Sequence, residues 1–141
     1  MERLSVFVVK HWVLVSGLIA VVAALIWDLV RASKGRAPQI WPTELIRLMN
    51  REEAVVIDVR DKSAYKKGHI AGALSIPLAE AKQRIAEIDI DRKRPIVLYC
   101  HSGNTSVGAV GDLVKAGFEN IYRLKGGMLE WQDSHLPVTK D

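Results

Sequence analysis

Ile96-Val97-Leu98-Tyr99-Cys100-His101-Ser102-Gly103-Asn104-Thr105-Ser106 joins an apolar, β-branched run to a small, polar, glycine-containing one. The first four residues read as a buried strand. The rest reads as a tight loop that opens a helix over Ser106–Ala116. Cys100, the only cysteine of the chain, therefore stands at a strand-to-helix junction. A thiol placed there meets unpaired backbone N–H groups and the positive end of a helix dipole, and both favour the thiolate. Position alone leaves two readings open, a nucleophile or a small buried hydrophobe. The second is the commoner fate of a free cysteine.

Strand and helix signals alternate on either side of this stretch. Pro42–Asn50 reads as a helix, with Leu45, Ile46, Leu48 and Met49 on its apolar face and Pro42 in its first turn. Ala54–Val59 is an apolar strand ending at Asp58 and Arg60. Lys62–Lys67 is a helical turn stopped by Gly68, and Ala73–Ile76 is a short strand closed by Pro77. Leu78–Ile88 is amphipathic, Gly117 sits where a helix C-cap is wanted, and Ile121–Leu124 is a further strand. Gly126-Gly127 opens a last helix over Met128–Asp133. Apolar strands separated by helices predict an α/β fold, a mostly parallel sheet with helices on both faces. Such sheets bind ligands beyond the carboxyl ends of their strands, where Cys100, Asp58 and Arg60 all fall.

The N-terminal part is of another kind. From Trp12 to Ile26 every residue is apolar or small, and the pattern resumes after Trp27 and Asp28 as far as Val30. A helix over residues 12–30 would be about 28 Å long at ~1.5 Å per residue, close to the hydrocarbon thickness of a bilayer. Trp12 and Trp27 stand near its ends, where indole favours the interface, and Lys10 and Arg31 close it on either side. A signal peptide would have a shorter apolar core and an A-x-A-like cleavage site. A buried core helix would not need apolar residues on every face. We read residues 12–30 as one transmembrane helix in contact with membrane lipid, 1–11 as its N-terminal flank, 31–38 as a linker and 39–141 as the globular domain. Arg31, Lys34 and Arg36 outnumber Arg3 and Lys10, so the positive-inside rule puts the globular domain in the cytoplasm. Gly17, Ala20, Ala23 and Ala24 permit a membrane-protein partner to pack closely without specifying one.

Charge and cysteine count exclude several classes. Of the 141 residues, the first 37 carry a net charge of +3 and the remainder only +1. The globular part therefore lacks the charge imbalance expected of a nucleic-acid binder. One cysteine forms no internal disulfide. His11, His69, His101 and His135 are scattered without metal-site spacing, so no metal is expected.

The motifs then carry a resemblance. Asp58-Val59-Arg60, Tyr65, Gly68-His69-Ile70-Ala71-Gly72-Ala73 and Ile76-Pro77 resemble the first signature of the rhodanese family. Cys100-x-x-Gly103-x-Thr105-Ser106 resembles its active-site loop, and Gly126-Gly127-x-x-x-Trp131 its C-terminal signature. The three occur in family order across nearly all of residues 39–136. The added anchor is similar to membrane-bound, single-domain bacterial members, which implies the inner membrane of a bacterium.

This resemblance implies a sulfurtransferase. Cys100 would take the outer sulfur of a small donor such as thiosulfate, become a persulfide, and pass the sulfur to a thiol or cyanide. No cofactor is implied. His101, Ser102, Gly103, Asn104, Thr105 and Ser106 would bind the substrate, their backbone N–H groups forming an anion nest. Thr105 and Ser106 would also cap the following helix or donate hydroxyls. With no second cysteine, discharge must go to an external acceptor. Many family members carry arginine directly after the cysteine or at the fifth position beyond it, where this chain has His101 and Thr105. Related folds use a Cys-x5-Arg loop for phosphatase chemistry, but the sixth residue after Cys100 is Ser106, so no guanidinium clamps a phosphate. Asp58 and Arg60 read as an ion pair bracing loops, His69 as a loop histidine, and Tyr65 and Trp131 as packing groups. A different class stays open: an interaction module holding a partner at the membrane.

Overall fold

The computed structural model describes residues 2–34 and 37–140. The chain divides into two compact units, Met1–Lys34 and Gly35–Asp141. The first holds two helices, α1 (Glu2–Lys10) and α2 (Trp12–Lys34). Within α2, Trp12–Val30 has a mean hydropathy of 2.5 and is long and apolar enough to cross a membrane. The backbone continues helically across His11, whose N–H donates to Phe7 and whose carbonyl accepts from Val15.

The second unit contains β1 (Gln39–Ile40), α3 (Pro42–Arg51), β2 (Val55–Asp58), α4 (Lys62–Lys67) and β3 (Leu74–Ser75). After a 3-10 turn over Leu78–Glu80 come α5 (Ala81–Glu87), β4 (Ile96–Tyr99), α6 (Val107–Lys115), β5 (Ile121–Leu124) and α7 (Gly127–Asp133). The five strands form one parallel sheet in the order β1-β5-β4-β2-β3.

Side-chain alternation sorts the sheet into two faces. Ile57, Val59, Ile96, Leu98 and Cys100 point to one side, where Ala81 and Ile85 of α5 and Ala109, Val110 and Leu113 of α6 cover them. Val56, Val97, Tyr99 and Leu124 point to the other, against Leu45 and Leu48 of α3 and Met128 and Trp131 of α7. The distribution follows from connection direction. Links β3→β4 and β4→β5 run one way along the sheet, while β1→β2 and β2→β3 run the other. Crossovers share one hand, so opposite directions put their helices on opposite faces.

Several details differ from expectation. Strand β1 was not foreseen. It lies at the edge, held by Arg123 N–H on Pro38 and Lys125 N–H on Ile40. The amphipathic stretch Leu78–Ile88 is divided: the three residues after Pro77 form a 3-10 turn before α5 begins. Strand β2 is Val55–Asp58, shorter at both ends than Ala54–Val59. Helix α6 starts at Val107 rather than Ser106, and its N-terminus has no side-chain cap. Its other end closes as foreseen around Gly117, with Gly117 N–H on Val114 and Phe118 N–H on Leu113.

Candidate active site

After β2 the chain turns towards β3, and after β4 it turns towards β5. The two loops therefore part at the carboxyl ends of adjacent strands, which opens a crevice between them. The register places Asp58 beside Tyr99, and Val59 N–H donates to the Tyr99 carbonyl at 3.0 Å. A cleft of about 400 Å³ fills the crevice. Val59, Arg60, Asp61, Ala64, Leu78, Ala79, Cys100, His101 and Thr105 line it.

Cys100 continues the β4 alternation onto the α5/α6 face and is 2% exposed, so its sulfur lies at the floor of the cleft. Gly103 N–H donates to Cys100 Sγ at 3.0 Å. Gly103 has φ +93°, a left-handed conformation that favours glycine, and a Cβ there would press on Gly126 N at 3.1 Å.

The loop is held by its carbonyls. Met128 N–H donates to the Cys100 carbonyl at 2.8 Å, and Leu129 N–H to the His101 carbonyl at 3.1 Å. The Gly103 carbonyl accepts the Ser106 hydroxyl at 3.3 Å and Arg123 Nη1 at 3.5 Å. In a trans peptide the N–H points opposite to the C=O. Tying these three oxygens downwards therefore turns the amides of His101, Ser102 and Asn104 upwards. Among the described residues, no protein acceptor meets the amides of Ser102, Asn104, Thr105 or Ser106. The loop is thus a nest of donors around a thiol, suited to an anionic sulfur.

His101, Ser102, Asn104 and Thr105 are exposed, as a contact with substrate requires, and His101 and Thr105 border the cleft. Ser106 departs from expectation. It is fully buried, and its hydroxyl turns back to Gly103 instead of capping α6 or facing the cleft. Its side chain shapes the loop from below.

Asp58 and Arg60 form the expected brace. Arg60 Nε donates to Asp58 Oδ1 at 3.0 Å and Nη2 to Oδ2 at 2.6 Å, while Arg60 N–H also reaches Oδ1 at 2.9 Å. Nη2 further donates to the Gly68 carbonyl at 2.8 Å, fastening the loop after β2 to the end of α4. Burial opposes the guanidinium charge, but the bonds to Asp58 outweigh it and hold the Arg60 pKa above its ordinary value. The Tyr99 ring lies under Arg60, with the guanidinium carbon 5.5 Å from its centroid, and its hydroxyl accepts Ile70 N–H at 3.2 Å. Burial, reinforced by the Asp58 carboxylate, pushes the Tyr99 pKa well above the ordinary phenol range. His69 stacks on Tyr65 at 3.7 Å, Tyr65 donates to the Ala73 carbonyl, and Trp131 Nε1 donates to the Pro137 carbonyl. All three lie away from the cleft lining.

Sequence reasoning missed two parts of the site. Gly127 opens a helix and belongs to the C-terminal signature, and neither reading shows that it is where α7 touches the loop. Only the side-by-side glycines hinted at so close an approach. Asp61, Ala64, Leu78 and Ala79 were unassigned, because nothing local marks a cleft wall.

A parallel sheet bearing a cysteine loop of this form at its central strand defines a class, and the comparisons agree. A family model described as a rhodanese-like domain matches residues 42–134. The Escherichia coli protein YibN, described as uncharacterized, is 30% identical over 141 residues, covering 99% of either chain. Thiosulfate sulfurtransferase GlpE of Pseudoalteromonas translucida is 33% identical over 92 residues, which is 65% of this chain and 86% of that one. The rhodanese-like domain of an Anabaena protein, solved in solution by NMR, superposes with a TM-score of 0.66 at 30% identity over 75% of this chain and 81% of that one. The chain belongs to the rhodanese-like family.

Proposed function

We propose that this protein is a sulfurtransferase anchored to a membrane by α2, with its globular domain in the cytoplasm. Cys100 is the carrier. Its thiolate attacks the outer sulfur of the donor, and a new S–S bond forms as the donor's own breaks. With thiosulfate, sulfite leaves with the electron pair. An external thiolate or cyanide then takes the terminal sulfur and restores the Cys100 thiolate. Gly103 N–H and the upturned amides of His101, Ser102 and Asn104 stabilise the persulfide anion.

The observation that carries this reading is the cleft-floor thiol with Gly103 N–H directed at it, 3.0 Å away. The thiosulfate sulfurtransferase relative supports the reaction class. The length and hydropathy of Trp12–Val30 support the anchor.

The test is the intact mass of the protein after treatment with sulfur donors. Gain of one sulfur atom, its loss to cyanide, and neither event in Cys100→Ser are expected. An unchanged mass with several donors would leave a rhodanese-like module that docks a partner at the membrane. Protease protection tests the anchor: the globular domain should be shielded in intact cells and cleaved in inverted vesicles.

A further inference from the structure

The cleft in front of Cys100 has walls of two kinds. Val59, Ala64, Leu78 and Ala79 are apolar, and Arg60 and Asp61 are charged. The Arg60 guanidinium is occupied by Asp58 through Nε and Nη2, and the buried Asp58 carboxylate neutralises it. Asp61 differs. It is exposed, precedes the first residue of α4, and makes no side-chain cap bond. Among the described residues it joins no ion pair, and Lys62 beside it is turned to Glu80 at 2.9 Å. Of the Asp and Arg side chains in the lining, Asp61 alone therefore lacks a counter-charge. A dianion entering to reach the sulfur meets repulsion from that wall.

We propose that Asp61 sets donor specificity: the cleft takes an aminoalkyl persulfide, its chain on the apolar wall and its ammonium on Asp61, in preference to dianionic thiosulfate. This rests on Cys100 being the sulfur carrier. The step balances without an oxidant. Cys100 thiolate attacks the terminal sulfur of the persulfide anion, a Cys100 S–S bond forms, the donor's S–S bond breaks, and the alkyl thiolate leaves with the electron pair and takes a proton from water. Asp61 touches only the donor's organic part.

The experiment uses the full-length protein in detergent and follows sulfur gain at Cys100 by rapid-quench mass spectrometry. The probes are thiosulfate, cysteamine persulfide and 3-mercaptopropionate persulfide, the last two alike in chemistry but opposite in charge. Wild type should favour cysteamine persulfide over the carboxylate donor by roughly tenfold, a ratio that shrinks as salt is added. Asp61→Asn should bring the ratio near one and speed thiosulfate several-fold. Asp61→Lys, a second variant at the same exposed position, should invert the preference. A wild-type ratio near one, or a ratio unchanged by both substitutions, would overturn the specificity while leaving sulfur transfer standing. No sulfur gain from any donor would overturn both.

Discussion

A Cβ on Gly127 would overlap the carbonyl oxygen of Cys100 and stand 2.8 Å from the amide nitrogen of Gly103. Helix α7 and the cysteine loop are therefore in backbone-to-backbone contact, with no room for a side chain between them. Gly127 also has φ +57°, where an L-residue is strained. Gly127→Ala should destabilise the fold by about 2 kcal/mol or more and displace the loop. Thermal melts should register the first effect. Sulfur loading at Cys100 should fall at temperatures where the variant is still folded. A variant with wild-type loading would refute the loop-support role.

Removing Asp58 should be more damaging than its distance from the thiol suggests. The carboxylate is fully buried and holds a guanidinium that is itself nearly buried. Asp58→Ala leaves that cation without its counter-charge, at a cost of about 3 kcal/mol or more. Chemical denaturation of Asp58→Ala, Arg60→Ala and the double variant should give a double-variant loss well below the sum of the single ones.

Tyr99 makes alkaline stability testable. Its folded-state pKa is raised, so the folded protein keeps the phenol proton at pH values where the unfolded chain has released it. The stabilisation tied to this proton is complete below about pH 10, the unfolded tyrosine value, and is lost as pH rises towards the folded value. Denaturant titrations from pH 9 upwards should show wild-type stability declining more steeply than that of Tyr99→Phe, by up to ~1.4 kcal/mol per pH unit. At neutral pH the variant should be weaker by about 1–2 kcal/mol, because Ile70 N–H loses its acceptor. Parallel pH profiles would contradict the assignment.

Thr105 is exposed and borders the cleft. Thr105→Arg adds a fixed cation to a lining that has one unpaired carboxylate. The KM for thiosulfate should fall by roughly tenfold with little change in kcat. A change in kcat alone would mean that the added guanidinium acts on the sulfur rather than on donor capture.

Those parts of the fold that rest on period were readable in the chain. Ile96–Tyr99 and Ile121–Leu124 emerged with the boundaries they have in the structure, because apolar runs bounded by turn residues have few other solutions. Strand β1 did not. It has two residues, one of them exposed, and exists only because β5 offers an edge. The cysteine and its loop were legible as residue types in order. The loop's working geometry was not, since it depends on α7 reaching across from the far end of the chain to hold two carbonyls. Ser106 illustrates the difference: a serine ahead of a helix looks like a cap, but here its hydroxyl has a nearer carbonyl within reach.

The tethering of the Cys100 and His101 carbonyls by Met128 and Leu129 also orders events in time. Ribosomes deliver Cys100 well before Gly127, and domains of this size fold once their parts are present. A nascent chain halted between the two carries a thiol with nothing to organise the peptides around it. Its reactivity is then that of any unstructured cysteine, and the peptides around it take up their order only when α7 docks.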